Sequence, residues 1–318
     1  MKALVTGGAG FIGSNLVDAL IARGDEVVVV DDLSSGRIAN LEGAIDAGAR
    51  FVEASVTDTA LVPELFAEAR PEAVFHLAAQ IDVRRSVTDP AYDLGVNVGG
   101  TLNLLAAARD SGAERFVFTS TGGAIYGEGL GRELPLTEDA DRRPDAPYGQ
   151  SKYAAEGYCG LWSRLYGLST ASLRLGNVFG PRQDPAGDAG VIAIFCGKAI
   201  AGQKPMVFGD GKQTRDYVFV KDIVAANLLA GDHPDAHGEY NVGTSEESTV
   251  LDVIGALRAA AGLDEDAFAP RFEPARLGEL QRSGLDVTRA RTELGFSAQT
   301  DLRDGIAQTF AWAQTALA

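Results

Sequence analysis

Tyr148 and Lys152 stand four residues apart as Tyr-x-x-x-Lys, downstream of two adjacent hydroxyls, Ser120 and Thr121. On a helix, residues so spaced share a face, which places the Lys152 ammonium beside the Tyr148 phenol. A neighbouring positive charge favours the phenolate, lowering a reference pKa of about 10 toward the range where a proton is exchanged with a sugar or alcohol hydroxyl. Ser120 and Thr121 compete for a second role, holding or polarising the same substrate oxygen. The other half of a redox site opens the chain, where Gly7-Gly8-Ala9-Gly10-Phe11-Ile12-Gly13 follows a short apolar run. Such a loop brings backbone N–H groups close to the pyrophosphate of a dinucleotide.

These groups need a scaffold, and the surrounding patterns supply one. Lys2 to Thr6 reads as a buried strand, and Leu16, Val17, Leu20 and Ile21 give Ser14 to Arg23 a helical apolar face that Gly24 ends. Val27 to Val30 form a second strand ending at Asp31 and Asp32. An acid there binds ribose hydroxyls and repels a 2′-phosphate, so NAD is expected over NADP. Phe51-Val52-Glu53 is a third strand, and Asp58 beyond it suits either the adenine amino group or the N-cap of a helix from Leu61 to Ala69. A fourth strand, from Ala73, runs through His76, read as a core group, into Leu77, Ala78 and Ala79. Small side chains at that end leave room for a cofactor passing over them. Asn97, in a helix expected from about Pro90 to Arg109, is either an amide bonding backbone near the cofactor or an interior polar residue.

Arg115 to Thr119 is a fifth strand broken by Ser120 to Gly127, Pro147 begins a helix to about Tyr166, and Ser169 to Leu175 is a sixth strand. From Gly176 the pattern loses its period. The expected fold is α/β, a doubly wound, mostly parallel sheet of Rossmann type with a smaller α/β substrate-binding lobe. The cofactor domain covers 1–175 with a returning segment at about 218–242, and the lobe covers 176–217 and 243–318.

With 46% hydrophobic residues and 38 glycines in 318, the composition is that of a globular α/β enzyme. Its 44 acidic against 28 basic residues, a net charge of -16, would repel a phosphate backbone, so no nucleic-acid partner is expected. No apolar run approaches the roughly 18 residues of a membrane span, and no leader precedes the first strand, so a cytoplasmic protein off the membrane is expected. Cys159 and Cys196, with His76, His233 and His237, make neither a disulfide framework nor a ligand cluster, and no metal is expected. The helix from Pro147 is apolar round much of its circumference, at Tyr153, Tyr158, Leu161, Trp162 and Leu165 among others. An excess apolar face on a helix suits a homodimer interface.

The chain resembles the extended short-chain dehydrogenase/reductase superfamily, and within it the nucleotide-sugar epimerases that act on UDP-glucose. Matching stretches are Thr6 to Gly13, His76-Leu77-Ala78-Ala79-Gln80, Ser120 to Gly127, Tyr148 to Lys152, Arg174 to Gln183 and Gly209 to Val218, in the family's order over nearly the whole chain. The resemblance implies a tightly held NAD and a dimer built through a four-helix bundle. It implies Tyr148 as base, Lys152 as the group that lowers its pKa and binds the nicotinamide ribose, and Thr121 as the hydroxyl at sugar O4. Asn177, Arg215 and Arg276 match residues placed against the nucleotide diphosphate, and guanidinium forks suit phosphate oxygens. Glu279 stands where the family often has Asp.

The reaction so implied is C4 epimerisation of a UDP-hexose through a transient 4-keto sugar, with no net oxidation. Dehydratase relatives carry acids after the shared strand, where this chain has Gly122 and Gly123, so elimination of water lacks its acid and base. Ser283 falls where a bulky tyrosine restricts substrates, which leaves volume for a 2-acetamido group. Rival readings are epimerisation or decarboxylation of UDP-glucuronate, with Arg84, Arg85 or Arg182 on the carboxylate, a plain NAD-dependent sugar oxidoreductase, and a non-catalytic NAD-binding regulator.

Overall fold

The computed structural model describes residues 1–185, 190–276 and 280–316. Strands β1 (Lys2–Thr6), β2 (Glu26–Asp31), β3 (Arg50–Glu53), β4 (Ala73–His76), β5 (Arg115–Thr121), β6 (Ser169–Leu175) and β7 (Gly238–Val242) form one parallel sheet in the order β7-β6-β5-β4-β1-β2-β3. The chain starts in the middle, works outward to one edge and crosses back to the other. The carboxyl ends of β1 and β4 thus flank the reversal point where α/β sheets bind ligands.

Strand alternation divides the core into two layers. Val5, Val29, Phe75 and Val117 face one side, where they pack with Leu16, Val17 and Leu20 of α1 (Phe11–Arg23) and with Ile223, Ala226 and Ala230 of a later helix. Leu4, Val28, Val74, Phe116 and Phe118 face the other. There they meet Leu65 and Phe66 of α2 (Leu61–Ala69), Leu104 and Leu105 of α3 (Gly100–Ser111), and Ala155 and Cys159 of α4 (Pro147–Tyr166). A sheet buried on both faces needs such near-continuous apolar runs. A third core joins α5 (Val191–Ile200), α6 (Val220–Asp232) at its Val220 end, α7 (Val250–Ala261) and α8 (Leu302–Ala316) around Phe179, Val207 and Phe268.

Three local expectations are corrected. α1 starts at Phe11 rather than Ser14, with Gly10 as N-cap. β5 runs on to Thr121, because Ser120 and Thr121 pair with Arg174 and Leu175 of β6 and the ladder overrides their turn preference. The helix expected from Pro90 is divided into Pro90–Leu94, a π turn at Gly95–Gly99, and α3.

Candidate active site

The glycine loop is tight for steric reasons. A Cβ on Gly7 would lie 2.5 Å from the Ala78 nitrogen, and one on Gly13 would lie 2.1 Å from the Gly7 carbonyl oxygen. Gly7 also has φ +69°, the left-handed region that glycine enters without strain. No side chain caps α1, so the first-turn N–H groups at Phe11, Ile12 and Gly13 keep the anion-binding character of a helix start. Asp31 reaches the same loop: its Oδ2 accepts from the Ala9 N–H and its Oδ1 from the Leu33 N–H, each at 2.9 Å. Burial raises its pKa against the pull of those bonds. Asp32 accepts from the Ser34 N–H instead, in a local turn. An uncapped helix start, a loop closed to side chains and an acid at the end of β2 fit NAD.

The wall beyond β4 is braced by side chains. Asn97 is buried and brackets Gln80, accepting from its N–H and donating to its carbonyl, both at 2.9 Å. Of its two expected roles, the structure gives it the backbone bond, in the strand end that carries Leu77, Ala78 and Ala79. Asp58 lies in the turn leading into α2, where its Oδ1 accepts from the N–H groups of Ala60 and Leu61. His76 is buried between Thr6 and Thr101, hydrogen-bonded to both hydroxyls, and burial drives its pKa well down.

Gly149 decides how the chemical groups meet. A Cβ there would lie 2.6 Å from the Ala124 carbonyl oxygen, so only glycine lets the first turn of α4 close on the turn after β5. That contact brings Tyr148 to Thr121, whose hydroxyl draws the phenol's pKa down and accepts from the Ala124 N–H at 3.2 Å. Ser120 alternates to the other side of β5, buried, and its hydroxyl has no partner among the described residues. Of the two competing hydroxyls, only that of Thr121 bears on the phenol's pKa.

The electrostatic expectation for the pair is not met. Burial pushes the Tyr148 phenol up to about 12, the charge of Asp93 adds to this, and only the Thr121 bond opposes it. Lys152 is buried, donates to the Thr119 carbonyl at 2.9 Å, lies over the Phe118 ring, and is lowered by burial to about 8. Helical spacing puts both residues on one face, but β5 supplies the lysine with a nearer acceptor than the phenol. A second brace fixes α4 from below. Arg174 of β6 forms a two-pronged pair with Glu156, at 2.9 and 2.7 Å, and donates to Tyr126 Oη and the Glu138 carbonyl.

Beside this edge lies a cavity of about 370 Å³, whose lining includes Asn177, Phe195, Phe208, Arg215, Tyr217 and Arg276. Three residues expected against a diphosphate therefore converge, although they are far apart in sequence. Asn177 Oδ1 lies 3.7 Å from a Cβ built on Gly123, so the cavity adjoins the turn that Thr121 caps. Arg276 stacks on the Phe208 ring at 3.7 Å, and Arg215 donates to the Thr214 carbonyl. Ser283 is buried outside this lining, on a segment whose Leu285 fills the space above Gly122. Glu279 lies outside the described residues. Arg85 stacks on Tyr92 and Arg182 pairs with Asp18; neither lines the cavity, and nor does Arg84. The sequence reading missed Phe195 and Phe208, whose aromatic character is ordinary for a core, and Asp93.

No helix among the described residues is long and apolar enough to cross a membrane, and no cluster of three metal-ligating side chains occurs among them. The model of the NAD dependent epimerase/dehydratase family matches residues 3–243. The UDP-glucose 4-epimerase of Mycolicibacterium smegmatis is 47% identical, covering 97% of each chain. A Thermotoga maritima UDP-glucose 4-epimerase solved with UDP-glucose superposes with a TM-score of 0.94 at 43% identity, covering 100% of both chains. A UDP-N-acetylglucosamine 4-epimerase from Methanobrevibacter ruminantium, in complex with UDP-N-acetylmuramic acid, superposes at 0.92 with 31% identity, covering 99% of this chain and 98% of that one.

Proposed function

Since the chain belongs to the NAD dependent epimerase/dehydratase family, we propose that it inverts C4 of a UDP-hexose, interconverting UDP-glucose and UDP-galactose. The observation that carries this reading is the Tyr148–Thr121 contact standing next to a cavity lined by Asn177, Arg215 and Arg276. Gly7, Gly10, Phe11, Ile12, Gly13 and Asp31 would hold NAD, which when bound takes a hydride from the sugar carbon and returns it. Residues 1–175 with 218–242 form the cofactor half in this reading, and the remainder the substrate half.

Tyr148 accepts the proton of the C4 hydroxyl, and Thr121 holds the same oxygen by hydrogen bonding. A phenol near 12 is a poor base at neutral pH, so the bound state must lower it. Positive charge on a bound nicotinamide ring, with the nearby Lys152 ammonium, would supply that shift. The arginines would hold the diphosphate while the keto sugar turns over, so that the opposite face of C4 is presented for return of the hydride and O4 stays within reach of the phenol. Gly122 and Gly123 offer no carboxyl group for elimination, and none of the arginines suggested for a uronate carboxylate lines the cavity.

The same reading extends to 2-acetamido sugars, on the likeness to the Methanobrevibacter ruminantium UDP-N-acetylglucosamine 4-epimerase rather than on Ser283, which lies outside the cavity lining, and to a cytoplasmic setting and a homodimer. Tyr153, Tyr158, Leu165 and Tyr166 of α4 are exposed, as are Tyr92 and Leu94 beside them, and a helix pair from each subunit would cover this face. A monomer mass in light scattering would refute the dimer. UDP-glucose, UDP-GlcNAc and UDP-glucuronate, incubated separately with the protein and no added reductant, should give C4 epimers of the first two. Net NADH formation, or turnover of the glucuronate alone, would overturn the assignment.

A further inference from the structure

Between the cofactor wall and the catalytic turn sits an acid that the proposed mechanism leaves unused. Asp93 is fully buried on the short helix Pro90–Leu94. One carboxyl oxygen accepts from Ser151 Oγ at 2.6 Å, and the other accepts from Gln80 Nε2 and Asn97 Nδ2, both at 3.0 Å. All three partners are neutral, whereas a buried acid ordinarily takes a cation. Ser151 lies between Tyr148 and Lys152 in sequence, so the acid grips α4 at the step joining them. Asn97 stands in the π turn, a feature frequent at functional positions. Through Asn97 and Gln80 the same carboxyl group is tied to the strand end that borders the cofactor.

We propose that Asp93 is a positioning residue for the Tyr148–Lys152 pair, a role that rests on the epimerase reading: it fixes the first turn of α4 through Ser151 and presents one buried negative charge to both groups. That charge resists ionisation of the phenol and favours the ammonium form of Lys152. The other groups around the pair act on one member at most. Thr121, from β5, acts on the phenol; Glu156 and Cys159, further along α4, act on Lys152, and Glu156 is already paired with Arg174. His76, from β4, is held neutral by burial and by the lysine charge. Asp93 thus adds to burial in raising the pH at which Tyr148 gives up its proton.

Asp93→Asn removes the charge and keeps the shape, and Ser151→Ala keeps the charge and cuts the link. Phenolate absorbance of the NAD-loaded protein, taken as the difference from the matching Tyr148→Phe protein, reports the phenol without turnover. With Asp93→Asn, ionisation of Tyr148 should move about one unit toward acid, and the acid limb of the kcat profile for UDP-glucose should move with it. With Ser151→Ala, kcat should fall about tenfold with KM and the limb unmoved, as expected when a group acting in the transition state is misplaced. An unmoved phenolate titration in Asp93→Asn overturns the charge role, and native kcat in Ser151→Ala overturns the grip. Should Asp93→Asn fail to fold, Ser151→Ala decides the grip, and Asp93→Ser, read by the same phenolate titration, decides the charge. Absence of epimerisation in the unmodified protein, with the absorbance shift intact, would fail the functional reading and leave the effect of Asp93 on the phenol standing.

Discussion

The catalytic edge and the neighbouring cavity hold their polar groups in opposite ways. At the edge, the charged groups and Ser151 are matched within the protein, though the buried Ser120 hydroxyl is not: Lys152 on Thr119, Ser151 on Asp93, Arg174 on Glu156 and Tyr126. In the cavity, Arg276 rests on an aromatic ring and Arg215 donates to the carbonyl of the residue before it. The first arrangement is costly to build but preorganised, which suits groups that must not move while a bond changes. The second leaves guanidinium donors for an incoming diphosphate. Positioning is thus built in at one region, and binding capacity held in reserve at the other.

Substitutions should separate the two regions by the parameter they change. The largest effect is expected for Tyr148→Phe, which should lower kcat by about 10³ with KM and bound NAD little altered; full turnover would remove Tyr148 from the mechanism. Next, Arg174→Met strands Glu156 in the core and should cost about 3–5 kcal/mol in chemical denaturation. Arg174→Met with Glu156→Leu should recover most of that, and a double variant no better than the single would show that the pair itself, not the stranded charge, was stabilising. The smallest effect is expected in the cavity, where Arg276→Ala should cost about 1.5–3 kcal/mol of binding, read as a raised KM with kcat close to native. A fall in kcat there at unchanged KM would abolish the division.

The sequence made the regions legible to different degrees. Strand, glycine loop and helix are a local pattern, and so is a helix opening on Pro147 and closing at Gly167, so both could be placed from neighbours in sequence. The partner of Lys152 could not, because the Thr119 carbonyl reaches it only when β5 is laid under α4. Asp93 reads locally as an ordinary acid in a helix, and only folding turns it inward against Ser151, 58 positions on. The cavity arginines came from the family resemblance; their convergence with Phe195 and Phe208 is a product of the third core, whose helices carry no repeat to announce it.

The central claim, that hydride leaves and returns at one carbon while Tyr148 handles the proton, is tested most directly with UDP-glucose carrying deuterium at C4. The UDP-galactose formed should retain the deuterium at C4, with no NADH accumulating, even when unlabelled NADH is present in solution. Product with protium at C4, or NADH appearing in step with sugar consumed, would contradict it.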